Sequence, residues 1–391
     1  MDYAKESLRL HEEHKGKISV TSKVPLKTRD DLSIAYTPGV AQPCREIAKN
    51  KDLAYNYTSK GNLVAVVSDG TAVLGLGNIG GLAGMPVMEG KAILFKEFGD
   101  VDAFPICLST QDPDEIIAVV KAIAPTFGGI NLEDIKAPEC FYVEERLKAA
   151  LDIPVFHDDQ HGTAIVVLAA VTNALRLSGR RMQDTIAVIN GAGAAGIAVG
   201  KLLMHANIGD IIFCDTHGPI YRGRAEGMNP YKTELSIASN KRLAKGTLAE
   251  AVKGSDIFIG LSKPGVLTTE MIKTMHPKPI IFAMANPDPE ILPADAHAAG
   301  AFIVGTGRSD FPNQINNVLA FPGVFRGALD VRASQITEGM KLAAAKAIAE
   351  YLPESEVTVE RVLPSPLDRG VAKAVAAAVS KAARDEGVAR V

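Results

Sequence analysis

Asp184-Thr-Ile-Ala-Val-Ile-Asn190 runs without a break into Gly191-Ala-Gly193-Ala-Ala-Gly196 and then into the stretch Ile197 to Met204. The first segment has the apolar, β-branched character of a buried strand, the glycines mark a tight turn, and the last has helical periodicity. Strand, glycine turn and helix in this order give a G-x-G-x-x-G unit its meaning. The glycines let backbone approach a pyrophosphate, and unpaired N–H groups at a helix N-terminus favour negative charge. A second strand, Ile211-Ile-Phe-Cys-Asp215, ends in an acid 19 positions after Gly196. A carboxylate there can accept from an adenosine ribose hydroxyl. Gly191, Gly193, Ala194, Ala195, Gly196 and Asp215 are the candidate dinucleotide-binding residues, with a purely structural glycine turn as the alternative.

Further strands follow at Asp256-Ile-Phe-Ile-Gly260, Pro279-Ile-Ile-Phe-Ala-Met284 and Ala301-Phe-Ile-Val-Gly305. They alternate with helical stretches, one opening on a capping box from Thr247 to Glu250, which predicts a doubly wound, Rossmann-type parallel sheet over residues 160–317. Residues 1–159 carry a strand-like Leu63-Val-Ala-Val-Val-Ser68, the glycine-rich Gly75-Leu-Gly77-Asn-Ile-Gly80-Gly81 and Ala103-Phe-Pro-Ile-Cys107, and read as a separate α/β domain. Residues 318–391 are mostly alanine-rich helix from Val331 onward, interrupted by Leu363-Pro-Ser-Pro366. A stretch this short supports a core poorly by itself, so it is expected to pack back onto the N-terminal domain.

The 391 residues carry 42 basic and 45 acidic side chains, mixed along the chain, for a net charge of −3. That balance offers no footprint for nucleic acid or anionic lipid and favours a small-molecule partner. Cys44, Cys107, Cys140 and Cys214 are widely spaced and form no CxxC pair, which argues against a disulfide framework or thiolate zinc site and for a reducing cytoplasm. The charged start Met-Asp-Tyr-Ala-Lys-Glu has no apolar h-region, and no uninterrupted apolar run reaches the ~20 residues of a membrane span.

A second constellation is acidic. Asn131-Leu-Glu133-Asp134 and Ile153-Pro-Val-Phe-His157-Asp158-Asp159-Gln-His161-Gly162 each place adjacent carboxylates after an apolar stretch. Carboxylates gathered at strand ends are costly unless solvated or neutralised. A hard divalent cation, Mg²⁺ or Mn²⁺, is one reason for them; an ordinary solvated turn is the other. His157 and His161 have the spacing of a zinc helix, but the HExxH glutamate is missing and Gly162 interrupts the next turn. Tyr36-Thr-Pro38-Gly39-Val, Met88-Glu-Gly-Lys91-Ala, Asn286-Pro287 and Asn316-Asn317 are individually ambiguous, although Asn286 ends a predicted strand at the sheet edge where ligands bind.

Together these segments resemble the malic enzyme family. Tyr36-Thr-Pro-Gly-Val, Ser68-Asp-Gly with Leu74-Gly-Leu-Gly, Glu89-Gly-Lys91, Leu132-Glu133-Asp134, His157-Asp158-Asp159-Gln-His-Gly-Thr163, the glycine turn, Ala285-Asn286-Pro287 and Asn316-Asn317-Val-Leu-Ala-Phe-Pro-Gly323 occur in the family's order, from about residue 20 to at least 330. The resemblance implies a general acid at Tyr36, a general base at Lys91 oriented by Asp158, and metal ligation by Glu133, Asp134 and Asp159. It adds Thr163 and Asn286 to the cofactor-binding set and assigns Asn286 and Asn317 to the substrate carboxylates. The chain departs from larger members in having Thr71-Ala72-Val73 where they carry a substrate-binding arginine soon after the Asp-Gly pair. It is similar to the short bacterial form, so regulation through an appended acyltransferase-like domain is not expected.

The activity so implied is oxidation of L-malate, with proton removal by Lys91 and hydride transfer to a nicotinamide. Decarboxylation of the oxaloacetate follows, and Tyr36 protonates C3 to give pyruvate. A malolactic enzyme or an oxaloacetate decarboxylase would use the same scaffold, and a non-catalytic dinucleotide sensor would keep only the Rossmann half. Asp215 favours NAD, because its carboxylate would repel a 2′-phosphate; Arg222 and Arg224 leave NADP possible. The short form is expected to be a homodimer in which Tyr36 can reach the partner's site.

Overall fold

Two parallel sheets organise the chain, and both are built from near-continuous apolar strands. The computed structural model describes residues 2–73 and 75–391; Met1 and Leu74, the first residue of the Leu-Gly-Leu-Gly motif, lie outside them. The first sheet contains β1 (Leu63–Ser68), β2 (Asp102–Cys107), β3 (Gly129–Leu132) and β4 (Val155–His157) in the order β2-β1-β3-β4. Val64 to Val67 are wholly buried, as strands covered on both faces must be.

The second sheet contains β5 (Ile186–Asn190), β6 (Asp210–Asp215), β7 (Gly218–Pro219), β8 (Ile257–Gly260), β9 (Ile280–Ala283) and β10 (Ile303–Thr306) in the order β10-β9-β8-β5-β6-β7. Every pair in it is parallel except the two-residue edge strand β7. The order reverses at β5, so the glycine turn that follows Asn190 lies at the switch point of the doubly wound sheet, where open α/β folds leave a crevice. The Thr247–Glu250 capping box is present.

The Asp158–Ser178 helix starts at the residue after β4 and packs against the Ala194–His205 helix of the second sheet. It is long and apolar enough to cross a bilayer by length and composition, but 67% of its apolar window is buried inside the protein. It is a core helix, and its first turn carries two aspartates. The Phe321–Asp330, Glu338–Tyr351 and Arg369–Asp385 helices pack on one another, and Phe321–Asp330 also rests on the Gly80–Gly99 helix of the first sheet. Gly323 and Gly327 make the approach possible: a Cβ would stand 2.7 Å from the Ala372 carbonyl at one and 2.5 Å from the Ala376 carbonyl at the other.

Residues 2–60 contrast with this core, because none of them is buried. Tyr3, Leu8, Val20, Leu26, Leu32, Ile34 and Tyr36 are all exposed. This arm is tied down at a few polar points, among them Lys17 N to the Glu89 carboxylate at 2.9 Å and Lys23 to Asp102 at 2.9 Å.

Candidate active site

The Gly80–Gly99 helix buries Met88, Lys91, Ala92 and Phe95, a spacing that lines one helical face. Lys91 thereby enters the protein from the core side, with Nζ 4.3 Å from the Phe321 ring centre. It meets the Asp158 carboxylate at 2.6 Å and Glu133 at 2.9 Å. Asp158 is wholly buried and its Oδ2 also accepts from Asn317 Nδ2 at 2.5 Å. The site thus draws on a helix, the ends of β3 and β4, and the loop after the second sheet.

Glu133 and Asp134 follow β3 directly, and Asp159 lies in the first turn of the helix after β4, so the parallel pairing of β3 with β4 brings the two acidic motifs together. The Asp134 backbone turns sharply at φ 55°, and its N–H donates to Asp159 Oδ2 at 2.7 Å. Ala72, where larger relatives were expected to differ, is fastened to this loop by its N–H to the Asp134 carbonyl at 2.9 Å. Ligand oxygens of Glu133, Asp134 and Asp159 lie within 4.8 Å of one another. Two buried carboxylates, those of Asp158 and Glu133, hold the ammonium of Lys91, and those of Asp134 and Asp159 gather beside Glu133. Burial raises the pKa of Glu133, Asp158 and Asp159, opposed by Lys91. Burial acts to lower that of Lys91, but Asp158 and Glu133 outweigh it and hold the ammonium strongly protonated. An all-oxygen, multiply anionic donor set with surplus negative charge fits a hard divalent cation.

The histidines of the same motif do not form a zinc pair. His161 turns away from the carboxylates: its Nε2 lies 2.7 Å from Glu144 and its Nδ1 3.1 Å from the buried Lys341. Burial, the largest influence, takes its pKa down to about 4.

At the switch point of the second sheet a cavity of about 810 Å³ opens, lined by Asn190, Gly191, Gly193, Asp215, Lys232 and Ser262 among others. Gly191 has φ 124°, and Gly196 is packed so closely that a Cβ would stand 1.8 Å from the Gly191 carbonyl. Ala194 and Ala195 open the following helix, with their backbone at the turn. Asp215 is fully engaged. Arg224 reaches both of its oxygens, at 2.8 and 2.5 Å, and Lys232 adds a contact at 2.7 Å. Against burial, these cations hold its pKa down at about 2.

Two family profiles match: "Malic enzyme, N-terminal domain" over residues 15–148 and "Malic enzyme, NAD binding domain" over residues 160–384. The chain belongs to the malic enzyme family. It is 58% identical to the bifunctional malic/malolactic enzyme of Bacillus subtilis, covering 100% of this chain and 95% of that one. It is 57% identical to the NAD-dependent malic enzyme of Geobacillus stearothermophilus, covering 96% and 78%. The solved malic enzyme of Pyrococcus horikoshii superposes with a TM-score of 0.95 at 51% identity, over 99% of this chain and 92% of that one.

Within this malic enzyme fold, Lys91, Glu133, Asp134, Asp158, Asp159 and Asn317 converge, whereas Tyr36 does not join them. Its ring is 67% exposed on the arm, and no described hydrogen bond or ring contact ties it to the cluster. Thr163 sits half-buried near the start of the aspartate-bearing helix, and Asn286 follows β9 with its amide against Gly307. Sequence reasoning missed Lys232, which carried no signal because its link to Asp215 spans 17 positions and forms only in three dimensions. It also gave Gly162 no role in the site. A Cβ there would stand 1.8 Å from Asp158 Oδ1, so this glycine makes room for the acid that holds Lys91.

Proposed function

We propose that this chain oxidises L-malate with a nicotinamide cofactor and decarboxylates the oxaloacetate to pyruvate and CO₂, as a soluble cytoplasmic enzyme. The observation that carries the reading is Lys91 Nζ held between Asp158 and Glu133 beside the oxygens of Glu133, Asp134 and Asp159. Those three carboxylates would hold Mg²⁺ or Mn²⁺, which when bound supplies polarisation of the hydroxyl and keto oxygens. Asp158, pinned by Asn317, sets where Nζ stands. Once the surplus negative charge around Lys91 is neutralised, the influence that holds its proton weakens, and Nζ is able to accept the proton of the C2 hydroxyl. Asn286 and Asn317 are assigned to the substrate carboxylates.

Tyr36 is assigned the protonation of C3. Its exposure, on an arm whose residues 2–60 bury nothing, supports a homodimer in which it serves the partner's site and Leu32 and Ile34 are covered. For the cofactor, Gly191, Gly193, Ala194, Ala195 and Gly196 would face the pyrophosphate, and Thr163 and Asn286 the nicotinamide end. The carboxylate of Asp215 is neutralised by Arg224 and Lys232, so the expected repulsion of a 2′-phosphate is removed. Use of NADP as well as NAD follows, with Lys232, which lines the cavity, as the contact for the extra phosphate.

The test is a malate assay with Mn²⁺ that records nicotinamide reduction and identifies the product. Pyruvate with stoichiometric reduced cofactor is the expected result. Lactate without accumulating reduced cofactor would establish the malolactic reading, which the Bacillus subtilis relative favours by its name. Absence of malate turnover would overturn both.

A further inference from the structure

The ends of β8 and β9 are joined by a buried anion. Glu290 has 0% exposure, and its two oxygens accept from different loops: Oε1 from Ser262 N–H at 2.9 Å and Oε2 from Ala285 N–H at 3.0 Å. Among the described residues no lysine, arginine or histidine pairs with it, so backbone N–H groups alone solvate the charge. A buried carboxylate without a cation is expensive, and burial pushes the pKa of Glu290 up; the two opposed backbone donors work the other way, because the ionised form offers each of them a full acceptor oxygen. The arrangement has a second requirement at Gly260, the last residue of β8, where a Cβ would stand 2.3 Å from the Glu290 carboxyl carbon.

What the two loops carry gives the bracket its meaning. Ser262 lines the cavity at the switch point, and its Oγ accepts from Asn190 Nδ2 at 2.7 Å, next to the Gly191 turn. Ala285 immediately precedes Asn286. An unbroken path therefore runs from the glycine turn through Asn190, Ser262 and Glu290 to the asparagine assigned to substrate and nicotinamide. We propose that Glu290 is a positioning residue for the reaction, fixing the cofactor groove and the Asn286 loop at one spacing. This rests on the proposed function for what Asn286 does, but not for the coupling of Ser262 to Ala285.

Glu290→Gln tests it sharply, because the amide keeps one acceptor and aims an NH₂ group at the remaining backbone N–H. Glu290→Asp, which keeps the charge but lacks the reach, is measured in parallel in case the amide variant folds poorly. The readouts are NADH affinity by fluorescence without metal or malate, KM for malate, Mn²⁺ affinity by electron paramagnetic resonance, and the thermal midpoint. In folded protein, NADH affinity and malate KM should both worsen by about tenfold or more, with Mn²⁺ affinity within about twofold of wild type. NADH affinity and malate KM unchanged in either folded variant would make Glu290 a fold-stabilising residue only and overturn the proposal. Equal weakening of Mn²⁺ binding would also overturn it, by revealing general loosening. If wild type does not turn over malate, the NADH arm still decides whether the groove depends on Glu290.

Discussion

Alanine at position 162 should reverse the usual sign of a helix substitution. Gly162 lies inside the Asp158–Ser178 helix, where replacing glycine by alanine ordinarily stabilises by ~1 kcal/mol. Here the new Cβ would stand 1.8 Å from Asp158 Oδ1 and 3.3 Å from the Asn317 Cβ. A carboxylate end is usually free to swing aside. This one is pinned, because its other oxygen is held by Lys91 at 2.6 Å and Asn317 at 2.5 Å, and any rotation drags that oxygen with it. Losing two buried bonds to a charged group costs ~1.5–3 kcal/mol each, which outweighs the propensity gain and leaves a net loss of ~2–5 kcal/mol. Urea unfolding of metal-free protein measures this. Malate oxidation should fall by about 10² or more, because Lys91 loses the partner that places it. A Gly162→Ala protein as stable and as active as wild type would refute the assignment of Asp158 as the residue that positions Lys91.

Asp159→Asn should leave the metal-free protein as stable as wild type or more so, since it removes one of several crowded carboxylates, while lowering Mn²⁺ affinity; calorimetric titration and thermal unfolding read the two effects. Lys232→Gln should lower kcat/KM for NADP by about tenfold and change that for NAD little, consistent with loss of one phosphate contact; equal effects on both cofactors would remove Lys232 from specificity. His161 is depressed to about 4 from 6.5, so the unfolded chain binds the extra proton between those values and stability rises with pH across the window, by ~3 kcal/mol at most. Glu144, held well below its usual value despite burial by His161 and Lys148, adds stability that is lost below pH 4.5 in the same direction. His161→Gln should flatten the slope of urea midpoints between pH 4 and 6.5.

Much of this molecule is local in sequence. The strand from Ile186 to Asn190, the glycine turn and the helix from Ala194 stand where periodicity and glycine spacing put them, because a buried parallel strand must be continuously apolar and a tight turn needs Gly191 at positive φ. The acidic pairs were visible as pairs. Their union was not, since residues 133 and 159 meet only through the β3–β4 register, and either pair alone reads as a solvated turn. Asp215 was legible as a strand-end acid, but its neutralisation was not: Arg224 and Lys232 return from loops whose path no periodicity encodes.

The sequence by itself determined the α/β class, the nucleotide-binding turn and the family, because propensity, hydrophobic period and motif order are properties of neighbours along the chain. Only the tertiary structure decided which charges face one another: that Lys91 sits between Asp158 and Glu133, that His161 serves Glu144 and Lys341, that Glu290 joins two strand ends, and that Tyr36 stands outside the cluster. Electrostatic and hydrogen-bond energies depend on distance and burial, and for residues tens to hundreds of positions apart those are fixed by packing alone.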